Sequence, residues 1–274
     1  MFANNPFAAL GGFLPPLFMQ VYVVLMLLAV IAGTLFDVVH KGSARYFFQN
    51  MRKSRGKAKR PVGGGEAVSI AVQTAVVDVL ASGEFCNPRR RVAHLLGMYG
   101  FILYVAATVV MAFNLSASTL WPQLWWLGAA MICVGGYWFW FFIRVDVAAE
   151  GHSPLRVMRA DLFVLSLLAS ATLGLLWAWA QAAGSPGARV LFWLYLLATT
   201  VLFCGVPWSK FAHMFFKPAA AFEKRVSKAD GTAENLPTQT RDDPEQQQRH
   251  SMELLRDAPM QMGLGIKREA PRHY

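Results

Sequence analysis

Long apolar stretches alternate with short basic ones along this chain. Phe13–Phe36 contains no Asp, Glu, Lys or Arg, and neither does Leu95–Ile143. An uncharged apolar run of eighteen or more residues is long enough to cross the hydrocarbon core of a bilayer. The pattern predicts five such spans, at about Leu17–Val39, Val92–Phe113, Trp121–Ile143, Leu162–Ala182 and Val190–His213. Trp121, Trp125 and Trp126 begin the third span and Tyr137, Trp138 and Trp140 end it, which suits anchoring at two membrane–water interfaces. The expected fold class is an all-α integral membrane protein. A cleaved signal peptide is a poor reading of the first run, which has no basic lead and no small-residue cleavage pattern.

The segments between the spans sort by charge. Met1–Pro16 is a short uncharged lead, and loop 114–120 also lacks charge. By contrast, Lys41, Arg45, Arg52, Lys53, Arg55, Lys57, Lys59 and Arg60 follow the first span with nothing acidic before Glu66. Arg89, Arg90 and Arg91 precede the second span, and Arg144, Arg156 and Arg159 lie beyond the third. Segments 40–91 and 144–161, with the tail from Lys210, hold every Lys and Arg but Arg189. Basic loops stay on the cytoplasmic side. Five spans with the N-terminus outside and the C-terminus cytoplasmic satisfy that rule. Residues 1–16 then form a periplasmic lead and 17–218 a five-helix domain in a bacterial cytoplasmic (inner) membrane.

Two segments need separate treatment. Glu66–Phe85 is apolar but carries Gln73, Thr74 and Asp78, and it sits between two basic clusters. If it crossed the membrane, one of those clusters would lie outside. The expectation within 40–91 is therefore an interfacial amphipathic helix, with a sixth span as the alternative. Residues 219–274 mix acidic and basic side chains, with prolines at 237, 244, 259 and 271. That composition cannot build a core of its own, and it is read as a cytoplasmic arm that docks a partner, a disordered tail being the alternative.

Composition changes the picture little. The 274 residues are 55% hydrophobic and 15% charged, with a formal charge of +10. In a soluble protein that charge would suggest nucleic acid. Here it flanks spans, where topology and anionic lipid account for it, and no nucleic-acid partner is expected. Cys86, Cys133 and Cys204 have neither metal nor disulfide spacing, which gives no case for an iron–sulfur cluster borne by this chain. No nucleophile–base set points to catalysis, and no inverted repeat or Gly/Pro-broken helix pair points to a transporter.

The histidines carry the candidate chemistry. His152, His250 and His273 fall in a loop and the tail and are expected in solvent. His40, His94 and His213 fall at the expected cytoplasmic boundaries of the first, second and fifth spans. The start of one antiparallel helix and the end of another meet at one level, the geometry needed to hold a haem iron between two imidazoles. His94 and His213 are the candidate axial ligands, the alternative being ordinary polar residues at headgroup depth. A quinone site needs donors to its carbonyls and a proton route. Lys210, Asp37 and His40 lie within about a turn of the same boundary. Snorkelling of Lys210, and capping of the first span by Asp37 and His40, are their ordinary roles.

RRRVAHLLGMYGFILYVAATVV, RADLFVLSLLASATLGLL and VPWSKFAHMFFKP resemble the membrane cytochrome b subunits related to the gamma subunit of respiratory nitrate reductase. The resemblance covers about residues 85–220, and the SK-x-x-H ending followed by Lys-Pro is its more specific part. It implies an electron-transfer subunit that links quinone/quinol to cytoplasmic iron–sulfur/flavin redox subunits. Nitrate, heterodisulfide and sulfite reductase-type complexes contain such subunits. The least elaborate relative is the membrane anchor of dissimilatory adenylylsulfate reductase, an enzyme of sulfur metabolism.

One departure bears on the cofactor. The nitrate-reductase type holds two haems, with ligand pairs ten residues apart on one helix and eighteen apart on the last. Ten residues on from His94 is Tyr104, and eighteen back from His213 is Tyr195. The resemblance then implies one haem b, on the cytoplasmic side, and electron transfer that moves no charge across the bilayer. A haemless anchor, with quinone served directly by a partner's iron–sulfur centres, is the alternative.

Overall fold

A computed structural model describes residues 2–15, 17–40, 43–145, 153–209, 213–233 and 243–249. All regular structure among the described residues is helical. In chain order the helices are α1 (Leu17–His40), α2 (Ser43–Arg55), α3 (Gly64–Gln73), α4 (Pro88–Ala112) and α5 (Leu120–Trp138). They continue as α6 (Leu162–Ala182), α7 (Ala188–Cys204), α8 (His213–Ala229) and α9 (Pro244–Arg249). Wide π turns at Thr74–Leu80 and Phe139–Ile143 prolong α3 and α5.

Leu17–His40, Pro88–Ala112, Leu120–Ile143 and Arg159–Ala182 are each long and apolar enough to cross a membrane. Helix α7 is apolar but has only 17 residues, about 25 Å at the rise of an α-helix. The last apolar run therefore does not reach His213 as one helix, contrary to the expected span Val190–His213. Gly205 stops α7 and a 3-10 turn, Val206–Trp208, follows before α8 begins at His213. Pro207 has no N–H to continue the helical ladder, and its ring clashes with the preceding turn.

Small residues set the helix spacing. Helices α4 and α5 run antiparallel with glycine against backbone: a Cβ on Gly100 would stand 2.8 Å from the Gly128 carbonyl oxygen, and one on Gly135 2.7 Å from that of Ala93. Only hydrogen fits at such an approach. Trp125, Ala129, Ala171, Trp177 and Phe192 fill the core and are buried. Helix α1 lies outside this group, pinned near its start by the Tyr22 hydroxyl, which donates to the Leu196 carbonyl at 3.0 Å. Near its end, Gly33 packs on Val206 and Pro207. Leu28, Ile31 and Leu35 of α1 stay exposed, as do Leu127, Trp179 and Leu197 on other apolar helices. In water each such side chain would forgo about 1.5–3 kcal/mol of burial; in a bilayer the acyl chains solvate them.

The two ends of the bundle differ. At one end the N-terminal lead closes over the helices. Asn5 donates to the Met111 carbonyl at 3.2 Å, and Gln181 to the Pro6 carbonyl at 2.7 Å. Phe7 is buried against Trp125 and Trp177. At the other end lie α2, α3, α8, the first turn of α4 with Arg91, and the segment bearing Arg144 and Arg159. Arg144, 1% exposed, ties its loop together. It donates to the carbonyls of Ser153 (3.0 Å) and Arg156 (2.7 Å), pairs with Asp161 at 2.6 Å, and lies over the Trp140 ring.

Candidate functional site

The turn between α3 and α4 is the centre of the basic end. Gly83 donates to the Val77 carbonyl at 2.7 Å, and a Cβ there would lie 2.8 Å from that same oxygen, so a glycine is required. Ser82 adopts φ +49°, an uncommon conformation for a residue with a Cβ. The turn is held to α4 by Arg91, which donates to the Ala81 carbonyl at 2.8 Å, and by the Tyr99 hydroxyl, which donates to the Leu80 carbonyl at 2.7 Å. Asn87 caps α4 by accepting from the Arg89 N–H at 3.0 Å, with Pro88 in the first turn.

His94 sits nearly two helical turns into α4, against the turn between α3 and α4. Its Nδ1 is 3.0 Å from the Oγ of buried Ser82, and the Phe85 ring lies 4.8 Å from the imidazole. A hydroxyl at Nδ1 fixes the ring's orientation, as outer partners do for histidines that ligate metal through Nε2. The same turn reaches α8: Glu84 pairs with Lys217 at 2.7 Å. Lys217 is one helical turn on from His213, which occupies the first position of α8. Thus Ser82 and Phe85 hold His94, while Glu84 holds the part of α8 that follows His213. The side chain of His213 lies outside the described residues, as do Lys210 and His152, His250 and His273.

Helix α8 covers the polar side of α3 and its π turn. Arg225 forks onto Asp78 (2.5 and 2.9 Å) and reaches Gln73 at 3.3 Å. That hydrogen-bonded carboxylate raises the Arg225 pKa. Ala221 and Val226 are buried on the same helix. Residues 219–229 of the expected arm are therefore folded against the chain itself. The opposite side of α3 and its π turn exposes Val68, Val72, Val76 and Leu80, an apolar stripe of the kind an interfacial helix presents.

The remaining candidates separate. Asp37 is buried, one turn beyond Gly33 and hence on the face that meets the Val206–Trp208 turn. His40 is exposed and stacked on Phe36, with centroids 4.9 Å apart. Tyr104 and Tyr195, on different helices, come together inside the bundle. A Cβ on Gly174 would meet the Tyr104 Oη at 2.5 Å and the Tyr195 ring at 3.4 Å. Tyr104 stacks on Trp125 and Tyr195 on Trp177. The space left beside them, lined also by Tyr22, Ser170 and Thr199, is about 60 Å³, against about 300–1,000 Å³ for an ordinary ligand pocket. That level of the bundle is a packed aromatic layer.

Sequence reasoning did not single out Ser82, Glu84 or Arg225. Ser82-Gly83 and Asn87-Pro88 are turn signals, but their partners on α4 and α8 depend on packing. In comparisons with family models, curated proteins and solved structures, no match to this chain is found.

Proposed function

We propose that the chain is the membrane anchor and electron-transfer subunit of a quinone-linked redox complex. In this reading it has five spans, an outer N-terminus, a cytoplasmic basic end and one b-type haem held by His94 and His213. The observation that supports it best is the hold on His94, whose Nδ1 is engaged by Ser82 at the basic end, beside the turn that also binds α8. A haem bound there supplies one-electron carriage between quinol and a cytoplasmic iron–sulfur/flavin partner.

The chain's own residues do the positioning. Ser82 orients the His94 ring, and Lys217 with Arg225 fastens the helix that begins at His213. Asp37, buried near the Val206–Trp208 turn, is the candidate for holding a proton at the quinone, with Lys210 and His40 as further candidates. The basic end steers an acidic partner, an attraction that weakens with salt. Sulfur metabolism, and adenylylsulfate reductase in particular, rests on the resemblance of residues 85–220 and on tyrosine at positions 104 and 195.

Pyridine haemochrome analysis of the purified chain tests the reading. One b haem per chain is expected, lost in His94→Ala and in His213→Ala. Ser82→Gly tolerates the positive φ and removes the hydroxymethyl group with its bond to His94, so it should keep the haem and shift its reduction potential. A colourless wild-type protein, or full haem in both histidine variants, refutes the cytochrome and leaves an anchor. Truncation after Ala233 keeps α8 and Arg225. If the soluble enzyme still co-purified at full yield, the docking arm would be wrong.

A further inference from the structure

The two ends of α3 with its π turn stand at different levels. Near the start, Arg60 pairs with Glu66 in an exposed position. At the far end, the Leu80 carbonyl accepts from the Tyr99 hydroxyl at 2.7 Å. Tyr99 stands about two turns, or about 12 Å, beyond Arg91 on α4. Helical side chains lean back toward the start of their helix, so the hydroxyl, and Leu80 with it, lies about one turn, or about 5 Å, past Arg91. Ser82 gives the same depth, since its Oγ is 3.0 Å from Nδ1 of His94, about one turn past Arg90. Arg89 and Arg90 mark the water side of α4 at this end. The tip of the α3 element lies inside them.

The backbone at the tip is arranged as hydrocarbon requires. A carbonyl at a water-facing turn can be left to solvent, whereas one in lipid needs a partner within the protein. The Val76 and Val77 carbonyls accept from the N–H groups of Ala81 (3.0 Å) and Gly83 (2.7 Å). Those of Leu80 and Ala81, left over where the helix ends, take side-chain donors from α4, Tyr99 and Arg91. Asp78, the carboxylate of the π turn, is 11% exposed and has both oxygens bonded to Arg225. The other side of the element carries the exposed stripe Val68, Val72, Val76 and Leu80. That stripe meets the exposed face of α4 at Tyr99, between Val92 and Ile102. A helix lying flat in the interface keeps its whole stripe at one depth. This one is tied at its far end to a transmembrane helix, below the level of the arginines.

We propose that α3 and its π turn form a re-entrant wedge, which enters the leaflet at the basic end on a slant. Val68 lies nearest the headgroups, Leu80 lies among the acyl chains, and residues 81–87 return the chain to the surface. The occupant of the stripe is lipid acyl chain, continuous with the lipid around α4. The wedge needs α4 to cross the bilayer, as the functional reading also does, and needs neither the haem nor the quinone.

Depth along the stripe tests the wedge. Val68→Cys, Val72→Cys, Val76→Cys and Leu80→Cys are made singly in the full chain carrying Cys86→Ala, Cys133→Ala and Cys204→Ala. Each is spin-labelled in nanodiscs, and collision with oxygen, which concentrates in acyl chains, is compared with collision with a water-soluble nickel chelate. The oxygen-to-nickel ratio should climb from position 68 to position 80. Leu80→Cys should read between Val92→Cys and Ile102→Cys, which report two depths on α4. One ratio at all four positions means a flat helix and overturns the wedge. Nickel access throughout, or labels shielded from both reagents by a soluble protein or a second copy, overturns it too. Tyr99→Phe supplies a label-free measurement, because it removes only the donor to the Leu80 carbonyl. Within lipid nothing replaces that donor, and the thermal midpoint in nanodiscs should fall by about 2–4 °C. At a water-facing turn a solvent molecule takes its place, so an unchanged midpoint overturns the proposal.

Discussion

Replacing Arg225 should release α8. Its guanidinium bonds Asp78 at 2.5 and 2.9 Å and Gln73 at 3.3 Å. Fully exposed ion pairs contribute about 0–1 kcal/mol, and hydrogen bonds to charged groups about 1.5–3 kcal/mol. The side chains here are 30% and 11% exposed for Arg225 and Asp78. After allowing for solvent screening of the arginine, the fork is worth about 2 kcal/mol. That corresponds to about 30-fold in the local opening equilibrium. Arg225→Met keeps most of the aliphatic stem and removes the charge. Hydrogen exchange of peptides spanning 213–229, with the protein in nanodiscs, should accelerate about 30-fold, while peptides from α4 and α5 keep their protection. Arg225→Met combined with Asp78→Asn should cost little more than the worse single change, because both remove one interaction. Exchange within twofold of wild type in Arg225→Met, or strictly additive losses, would refute the reasoning. Under the proposed function, a released α8 also loosens the hold on His213 and lowers haem retention.

Three further outcomes are expected. Gly100→Ala places a methyl 2.8 Å from the Gly128 carbonyl oxygen and 3.0 Å from the Ile132 nitrogen, both backbone. Helices α4 and α5 must part, at a cost of about 1–3 kcal/mol, and an unchanged thermal midpoint in detergent would contradict that packing. Arg144→Met strands the Asp161 carboxylate and two carbonyls, a loss of about 3–5 kcal/mol readable by chemical denaturation, with Arg144→Lys falling between. Burial raises the Glu223 carboxyl above its ordinary pKa of 4.5. Its contribution to folding is thus greatest below pH 4.5 and is lost as pH rises through the folded value. Glu223→Gln should then protect α8 against exchange at pH 7, with the gain disappearing below pH 4.5; a gain independent of pH would contradict the assignment.

The helical class, most of the span positions and the clustering of basic loops were legible in the residue order. A backbone in hydrocarbon has to satisfy its own hydrogen bonds, so an uncharged run of sufficient length implies a helix without reference to its neighbours. The break before His213 was also written locally, in Gly205 and Pro207, but apolar residues continue past it and the hydrophobic pattern ran on through. What the tertiary structure decided was convergence. Arg225 and Asp78 lie 147 positions apart and meet because α8 folds back on α3. Ser82 reaches His94, and Tyr104 approaches Tyr195, through rotations and spacings set by packing at Gly83, Gly100 and Gly174. Hydropathy measures how each residue partitions into the membrane. It carries no information about which polar group a helix turns toward its neighbour, and that orientation shapes the candidate site.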